Sequence, residues 1–203
     1  MPSPESGQSW GIFGGRFDPV HTGHIALAQA VLTTKRFSGI LFIPSVKNPL
    51  KQQKSEATFD DRMAMLRLAC DSEPRFLVSD IEQRENLPGY TLDTIQALKK
   101  VYPRVSFHFL IGADLLEGLR RWHRIDELIK LIPFIAVSRP EYTFTRLPNA
   151  YKDRIELLTA DTPDVSSTEV RYLLKSHLIP ERLNALLPAS VIAYIQDRGL
   201  YRE

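Results

Sequence analysis

Residues 10–24 of the chain read WGIFGGRFDPVHTGH, and they contain the strongest pointer to its fold. The apolar run at residues 10–13 predicts a buried strand, and a segment of helical period begins after His21. Between them, Gly14 and Gly15 let the backbone turn sharply and let a ligand approach it closely. α/β folds bind phosphates at such a junction, because the first N–H groups of the helix are unpaired and the helix dipole is positive there.

The rest of the chain continues the alternation of short apolar runs with longer stretches of helical period. Further strands are predicted at residues 40–44, 76–79, 106–111, 134–138 and 154–158. Helices are predicted near residues 22–34, 58–71, 91–101, 124–131, 167–176 and 188–198. Such alternation is typical of parallel βαβ units. The predicted fold class is therefore α/β, a Rossmann-like, doubly wound and mostly parallel sheet with a small helical C-terminal part, and ligands are expected at the carboxyl ends of the strands.

Length and composition are those of one folded domain. The 203 residues suffice for one α/β domain and are few for two. We expect a single domain over residues 1–203, with a flexible segment at residues 1–8 and the helical part at residues 160–203. The formal net charge is only +2, and this near-balance predicts that no nucleic acid polymer is a partner, because such partners require a basic excess.

Cysteine content and the N-terminal sequence bear on the cellular compartment. A single cysteine excludes a disulfide within the chain and favours a reducing environment. Residues 1–9 lack the basic and apolar regions of a signal peptide, and no apolar run approaches the ~18 residues of a membrane span. These features predict a cytoplasmic protein without a membrane partner. The sequence leaves the oligomeric state open, with a homo-oligomer among the alternatives.

His21 and His24 stand at the entrance of the first predicted helix, and their chemistry leaves three interpretations open. They would suit a metal, although no acidic residue lies between them and no third ligand is nearby. They would also suit an ordinary helix start with Thr22 as the N-cap. In the third interpretation both imidazoles donate hydrogen bonds to a triphosphate, where charge builds up during group transfer. The stretch is neither a GxGxxG fingerprint nor a P-loop, and its spacing does not choose among the three.

A second candidate anion site lies near the other end of the chain, where VSSTEVR opens a predicted helix. Ser166 and Glu169 have the spacing of a capping box, which by itself indicates only that a helix begins. Ser167 and Thr168 add hydroxyl groups, and Arg171 adds a fork of donors one turn later. Together with free N–H groups they would make a strong anion site, and a well-capped surface helix is the alternative.

The two motifs together resemble the HxGH superfamily of nucleotidyltransferases. GGRFDPVHTGH is similar to the GGTFDPxHxGH form of nicotinate-nucleotide adenylyltransferases, and SSTEVR is similar to the superfamily's ISSTxxR signature. Arg16 departs from this pattern, because a small hydroxyl residue is usual at its position. The resemblance runs from residue 10 to residue 201.

Segments in the middle of the chain resemble the part of this family that holds the mononucleotide. From the residues alone, Thr91 is a candidate N-cap, Asp114 with Glu117 a candidate cap pair, and Trp122 an aromatic residue at the rim of the core. The resemblance to the family's YTxDT and GxDxxxxxxxW segments implies more. Trp122 would stack on the pyridine ring, and backbone amides near Thr91 and His123 would bind the nicotinate carboxylate. Asp114 would lie beside the ribose or phosphates of a bound nucleotide.

The resemblance also gives roles to two basic residues. Lys51 would contact a phosphate of the mononucleotide, whereas Leu50 stands where the family often has a histidine, so that a second contact there stays open. Arg139 would bring a guanidinium group close to ATP, with a plain surface arginine as the alternative.

The implied reaction is adenylyl transfer from ATP to nicotinate mononucleotide, which gives nicotinate adenine dinucleotide and pyrophosphate, with Mg²⁺ held mostly by ATP oxygens and water. The mononucleotide phosphate is already an anionic nucleophile, so neither a general base nor a covalent intermediate is required. Catalysis would consist of alignment for in-line attack and of neutralising the charge on the leaving group.

The expected residues are catalytic His21, His24 and Arg171; ATP-binding Gly14, Gly15, Phe17, Asp114, Arg139, Ser167 and Thr168; and mononucleotide-binding Lys51, Thr91, Trp122 and His123.

Three other functions stay open at this point. A related adenylyltransferase that acts on nicotinamide mononucleotide or on phosphopantetheine would share the phosphate motifs. A nucleotide-binding module without catalysis is the alternative from another class. The intact histidine pair argues against that module, and the acid or amide preference depends on backbone geometry that the sequence does not contain.

Overall fold

The computed structural model describes residues 3–47, 55–140, 149–176 and 180–202. Its sheet has six strands in the order β3-β2-β1-β4-β5-β6, and each of the neighbouring pairs is parallel. The strands are β1 (Ser9–Gly15), β2 (Gly39–Pro44), β3 (Phe76–Val78), β4 (Ser106–Gly112), β5 (Phe134–Ser138) and β6 (Ile155–Thr159). The chain runs outward from β1 in one direction and then from β4 in the other, so the predicted doubly wound, Rossmann-like class is confirmed.

Helices and turns connect the strands. They are α1 (Thr22–Thr33), α2 (Phe59–Cys70), α3 (Ile81–Arg84), α4 (Thr91–Val101), a 3₁₀ helix (Ala113–Arg121), α5 (Ile125–Leu131), α6 (Asn149–Lys152), α7 (Ser167–Lys175), α8 (Pro180–Leu186) and α9 (Ala189–Arg198). The six predicted helices are present with bounds that differ by at most two residues. Three further helices, α3, α6 and α8, were not predicted, because short helices do not develop a clear apolar period. The 3₁₀ helix begins where Asp114 and Glu117 suggested only a short capped helix.

The core lies on both faces of the sheet. Ile12 of β1 packs into one apolar cluster, together with residues from α4, α5 and the 3₁₀ helix. Phe13, its neighbour in sequence, packs into a second cluster with residues from α1, α2, α7 and α9. Successive side chains of a strand point to opposite faces, so a strand that is covered on both sides must be apolar at nearly every position. In the described parts of the chain, no helix combines the length and the apolar character that a membrane crossing requires.

Two helices begin differently from the prediction. The N-cap of α1 is His21 and not Thr22, because the backbone is still extended at His21 (φ −139°, ψ 169°) and is helical from the next residue. The Thr22 hydroxyl instead donates to a backbone carbonyl of α8 at 3.2 Å. The N-cap of α4 is Tyr90, and Thr91 is the first helical residue. Both N-caps therefore lie one residue before the predicted ones.

Candidate active site

A cavity of about 950 Å³ lies at the carboxyl ends of β1 and β4, where the strand order reverses. It is lined by the β1–α1 loop, the starts of α4 and α7, and the segment that follows β4. Lys51 and Leu50 lie outside the described residues. The other predicted site residues all line this cavity: Gly14, Gly15, Phe17, His21, His24, Thr91, Asp114, Trp122, His123, Arg139, Ser167, Thr168 and Arg171. The two phosphate motifs therefore share one space, although they come from opposite ends of the chain.

The two histidines form a stacked pair at the start of α1. Their ring centroids are 3.5 Å apart with an interplanar angle of 26°. The backbone N–H of His21 donates to Nδ1 of His24 at 3.2 Å. Because Nδ1 of His24 acts as an acceptor, the proton of the neutral ring is on Nε2. His24 is thus fixed as an Nε2–H donor at the entrance of the helix.

Burial lowers the pKa of both histidines. It lowers the pKa of His21 from its ordinary 6.5 to about 4. Burial, and after it the neighbouring His21, lowers the pKa of His24 well below the ordinary value. A desolvated imidazolium beside a second imidazole is unfavourable, so the rings are neutral at pH 7. The pair therefore offers neutral N–H donors to a ligand.

Phe17 and two glycines shape the space around the histidine pair. The Phe17 ring is only 1% exposed and meets His24 edge-on, with the centroids 4.9 Å apart. A Cβ atom at Gly15 would lie 2.9 Å from the Phe17 ring, and one at Gly23 would lie 3.2 Å from Nδ1 of His21. Phe17 therefore packs against the catalytic candidate His24 and fixes the position of its ring.

The start of α7 is joined to the β1–α1 loop by direct hydrogen bonds. Nη1 of Arg171 donates to the carbonyl of Asp18 at 2.7 Å, and the hydroxyl of Ser167 donates to the carbonyl of Pro19 at 2.9 Å. Because its proton is used in this way, the Ser167 hydroxyl is left only as an acceptor toward any further group. The contacts place the guanidinium of Arg171 next to the loop that carries the histidines.

The first turn of α7 has only part of the predicted capping box. The Ser166 hydroxyl accepts the N–H of Glu169 at 3.1 Å, as predicted. The Glu169 carboxylate, however, pairs with Arg182 at 2.7 Å. Nη2 of Arg171 approaches the Thr168 hydroxyl at 3.5 Å, which is a long hydrogen bond. The start of α7 lines the cavity, where its free N–H groups can face a ligand.

Asp18 is a buried carboxylate that joins separate segments around the site, and the sequence pattern did not indicate this role. It is 1% exposed. Its carboxylate accepts hydrogen bonds from the N–H of Glu56 at 2.9 Å, the N–H of Ala57 at 3.1 Å and the hydroxyl of Tyr201 at 2.7 Å. Burial and the Asp18 carboxylate raise the pKa of Tyr201. Because these partners are distant along the chain, no local pattern could have revealed them.

Arg62 is a second such residue, buried beneath the loops that follow β1 and β2. It is 2% exposed, and Nη1 donates to the carbonyls of Arg16 at 2.7 Å and of Ser45 at 2.9 Å. Burial lowers the pKa of Arg62, and the nearby Asp18 charge opposes this shift. Arg62 thereby fixes the backbone of Arg16, which lines the cavity.

A buried carboxylate joins the loop after β2 to the start of α4. Glu82 accepts the N–H of Val46 at 3.0 Å and the hydroxyl of Thr94 at 2.8 Å. Burial raises the pKa of Glu82. Gly89 has φ +91°, and a Cβ atom there would lie 2.3 Å from the carbonyl oxygen of Lys47. The left-handed backbone and the close approach both require glycine at this position.

Aromatic residues cluster on this side of the cavity. Trp122 is half-buried and meets the ring of Phe109 edge-on, with centroids 5.9 Å apart. The ring of His123 stacks on Tyr90 at 4.1 Å, a contact that the sequence analysis did not foresee. Thr91 opens α4 beside them. The predicted mononucleotide residues Thr91, Trp122 and His123 are thus brought together, as a flat apolar ligand requires.

Asp114 and Arg139 also line the cavity. A Cβ atom at Gly112 would lie 2.4 Å from Oδ1 of Asp114, so glycine lets this carboxylate fold back over the end of β4. Gly112 is the N-cap of the 3₁₀ helix, and the alternative of Asp114 as a cap is therefore wrong. Arg139 pairs with the exposed Asp164 at 2.7 Å. The pair holds the guanidinium of Arg139 near the loop that leads into α7.

Known proteins resemble this chain over most of its length. The cytidylyltransferase-like family model matches residues 12–173. A probable nicotinate-nucleotide adenylyltransferase from Oceanobacillus iheyensis is 41% identical over 191 residues, which are 94% of this chain and 95% of that relative. The nicotinate-nucleotide adenylyltransferase of Bacillus subtilis is 39% identical over 193 residues, which are 94% of this chain and 97% of that protein.

A similarity of fold extends to solved structures with far lower sequence identity. The nicotinic acid mononucleotide adenylyltransferase of Plasmodium falciparum, complexed with NaAD, superimposes with a TM-score of 0.80. The match covers 96% of this chain and 97% of that one at 20% identity. At this identity the similarity concerns the fold.

Proposed function

The chain belongs to the cytidylyltransferase-like family and, within it, to the nicotinate-nucleotide adenylyltransferases, and from this premise we propose that it transfers the AMP part of ATP to nicotinate mononucleotide. The products are nicotinate adenine dinucleotide and pyrophosphate, in a step of NAD biosynthesis. The observation that carries the proposal is that the histidine pair and Arg171 line one cavity. Two polyanionic substrates must meet in such a space, and about 950 Å³ is large enough for small ligands.

The phosphate chain of ATP lies over the N-termini of α1 and α7 in this proposal. Both helices begin at the cavity, so their first N–H groups and positive dipole ends favour an anion there. His24 donates from Nε2, His21 donates beside it, and Arg171 adds charge from the other motif. Asp114, Arg139, Thr168 and the backbone of Gly14 and Gly15 complete the ATP site.

The chemical step is an in-line displacement at the α-phosphorus of ATP. A phosphate oxygen of the mononucleotide forms the new P–O bond, and the bond to the bridging oxygen of the leaving pyrophosphate breaks. The nucleophile is already ionised, so no side chain has to remove a proton. Because the charge of the leaving group grows in the transition state, preorganised donors that face it lower the barrier. His21, His24 and Arg171 supply these donors.

Magnesium accompanies ATP in this proposal. In the described parts of the chain, no group of three or more histidine, cysteine, aspartate or glutamate side chains is placed to hold a metal ion. The ion is bound mainly by phosphate oxygens and water, as Mg²⁺ prefers, with the exposed Asp114 carboxylate available in the cavity. When bound, the ion neutralises phosphate charge.

The mononucleotide occupies the aromatic side of the cavity. Trp122 stacks on its pyridine ring, and the backbone amides near Thr91 and His123 bind the nicotinate carboxylate. Lys51 binds the phosphate of the mononucleotide. The ordered start of α4, held by Glu82 and Gly89, supports these contacts because amide donors must be fixed in place to recognise a carboxylate.

The proposal extends to the setting of the reaction. The enzyme is a single domain that acts on free nucleotides in the cytoplasm, without nucleic acid polymers. Its near-neutral charge and single cysteine support this view.

The test is a parallel assay of pyrophosphate release with ATP, Mg²⁺ and one of three acceptors. We expect nicotinate mononucleotide to give a kcat/KM at least about tenfold above those of nicotinamide mononucleotide and phosphopantetheine, a difference of about 1.4 kcal/mol in transition-state binding. A higher value for either rival acceptor would replace the proposed substrate. ATP binding without turnover on any acceptor would instead favour a non-catalytic nucleotide-binding module.

A further inference from the structure

The carboxylate of Glu56 lies behind the phosphate site and holds two cations of α7. Its Oε1 accepts Nε of Arg171 at 3.0 Å, and its Oε2 pairs with Nζ of Lys175 at 2.9 Å. The backbone of Glu56 is itself fixed, because its N–H donates to the Asp18 carboxylate at 2.9 Å. The side chain of Arg171 is only 14% exposed in this arrangement, whereas that of Glu56 is 39% exposed.

The hydrogen bonds of Arg171 engage part of its guanidinium group and leave another part available. Nε is held by Glu56, and Nη1 is held by the carbonyl of Asp18. The contact of Nη2 with Thr168 is long, at 3.5 Å. Arg171 and Thr168 line the cavity, and Glu56 does not belong to that lining. Glu56 and Asp18 therefore hold the guanidinium group through Nε and Nη1. N–H groups of its Nη1–Nη2 edge stay available to bind a phosphate.

We propose that Glu56 is a positioning residue for adenylyl transfer, which fixes the orientation of Arg171 toward the leaving pyrophosphate. The inference rests on the proposed function, in which Arg171 contacts the phosphates. An arginine side chain that is already immobilised loses less conformational freedom when it meets the transition state. The Glu56 carboxylate also weakens the binding of the phosphates, because its negative charge repels them. Lys175 offsets part of that charge.

The experiment compares two uncharged replacements, Glu56→Gln and Glu56→Ala. Glutamine keeps an oxygen acceptor for Nε of Arg171, and alanine removes it. A difference between these two variants therefore reports the positioning of Arg171 and not the charge. We expect kcat of Glu56→Gln to exceed that of Glu56→Ala by about fivefold or more, the scale of one ordinary hydrogen bond. The KM for nicotinate mononucleotide should change less than about twofold, since uniform binding of the acceptor is not affected.

Two further comparisons separate positioning from a general structural effect. In an Arg171→Ala background the difference between the two Glu56 variants should vanish, because there is no guanidinium to hold. Glu156→Ala is the matched control, since Glu156 pairs bidentately with Arg36 at 2.7 and 2.8 Å near the start of β6, and neither residue lines the cavity. This control should leave kcat unchanged. If the alanine variant does not fold, Glu56→Ser replaces it.

ATP binding gives a readout that is independent of the acceptor. We expect Glu56→Gln to bind ATP about threefold or more tightly than Glu56→Ala, as measured by calorimetry. Absence of turnover with nicotinate mononucleotide in the wild type would overturn the proposed function alone, and ATP affinity would then decide the role of Glu56. Equal kcat and equal ATP affinity of the glutamine and alanine variants would overturn the positioning role.

Discussion

Replacing Asp18 with asparagine should destabilise the protein by about 3 kcal/mol. The buried carboxylate accepts hydrogen bonds on both oxygens: Oδ2 binds the N–H of Glu56, and Oδ1 binds Ala57 and Tyr201. An asparagine oxygen in the Oδ1 position keeps two donors but turns its NH₂ group toward the N–H of Glu56. One hydrogen bond to a charged group, about 1.5–3 kcal/mol, is lost, and the remaining bonds lose the charge that strengthens them.

Urea unfolding at pH 7 measures this loss, and thermal unfolding should show Tm lower by about 6–12 °C for a chain of this length. Tyr201→Phe is the matched control, because it removes one donor and leaves the carboxylate with both backbone partners. That control should cost only about 1–2 kcal/mol. An Asp18→Asn variant within about 1 kcal/mol of the wild type would refute the role of this carboxylate as a buried anchor.

Two further predictions concern the histidine pair. His24→Ala should retain a native circular dichroism spectrum but lower kcat by ~10²-fold, as expected for the loss of one preorganised donor, and full turnover would remove His24 from the mechanism. The pKa of His21 is about 4 in the folded protein and 6.5 ordinarily, so the unfolded state binds more protons between these values and stability falls as pH falls through this window. The loss at pH 4 should approach ~3 kcal/mol from His21 alone. Urea midpoints from pH 7 to pH 4 measure it, and His21→Asn should flatten the profile; identical profiles would contradict the buried neutral state.

The sheet could be predicted well because its strands are apolar on both faces. The short, mostly apolar runs at residues 106–111 and 134–138 are typical of buried strands, and the predicted helices are long enough to show their period. Local chemistry likewise placed His21, His24 and Arg171 at helix starts. Periodicity failed where the helix was one turn long, as in α3, or wound as a 3₁₀ helix after β4.

The positions of the supporting residues could not be predicted, because their partners are far away along the chain. Asp18 meets Tyr201, and Arg171 meets Glu56, only after the C-terminal helices fold back onto the β1–α1 loop. Arg62 looks like one charged residue among several on α2 until the structure shows it buried under two loops. The sequence shows which side chains could form hydrogen bonds, and the packing of distant segments determines which of them come into contact.

By itself the sequence determined the fold class, the two phosphate motifs and the family, because these depend on residue type at short spacing. The tertiary structure alone decided the state of the site. Burial in the folded protein lowers the pKa of His21 and His24, and this burial depends on tertiary packing and not on the identity of neighbours along the chain. The structure also shows that Glu56 and Asp18 hold Arg171 by hydrogen bonds, and such contacts form only when distant segments of the chain pack together.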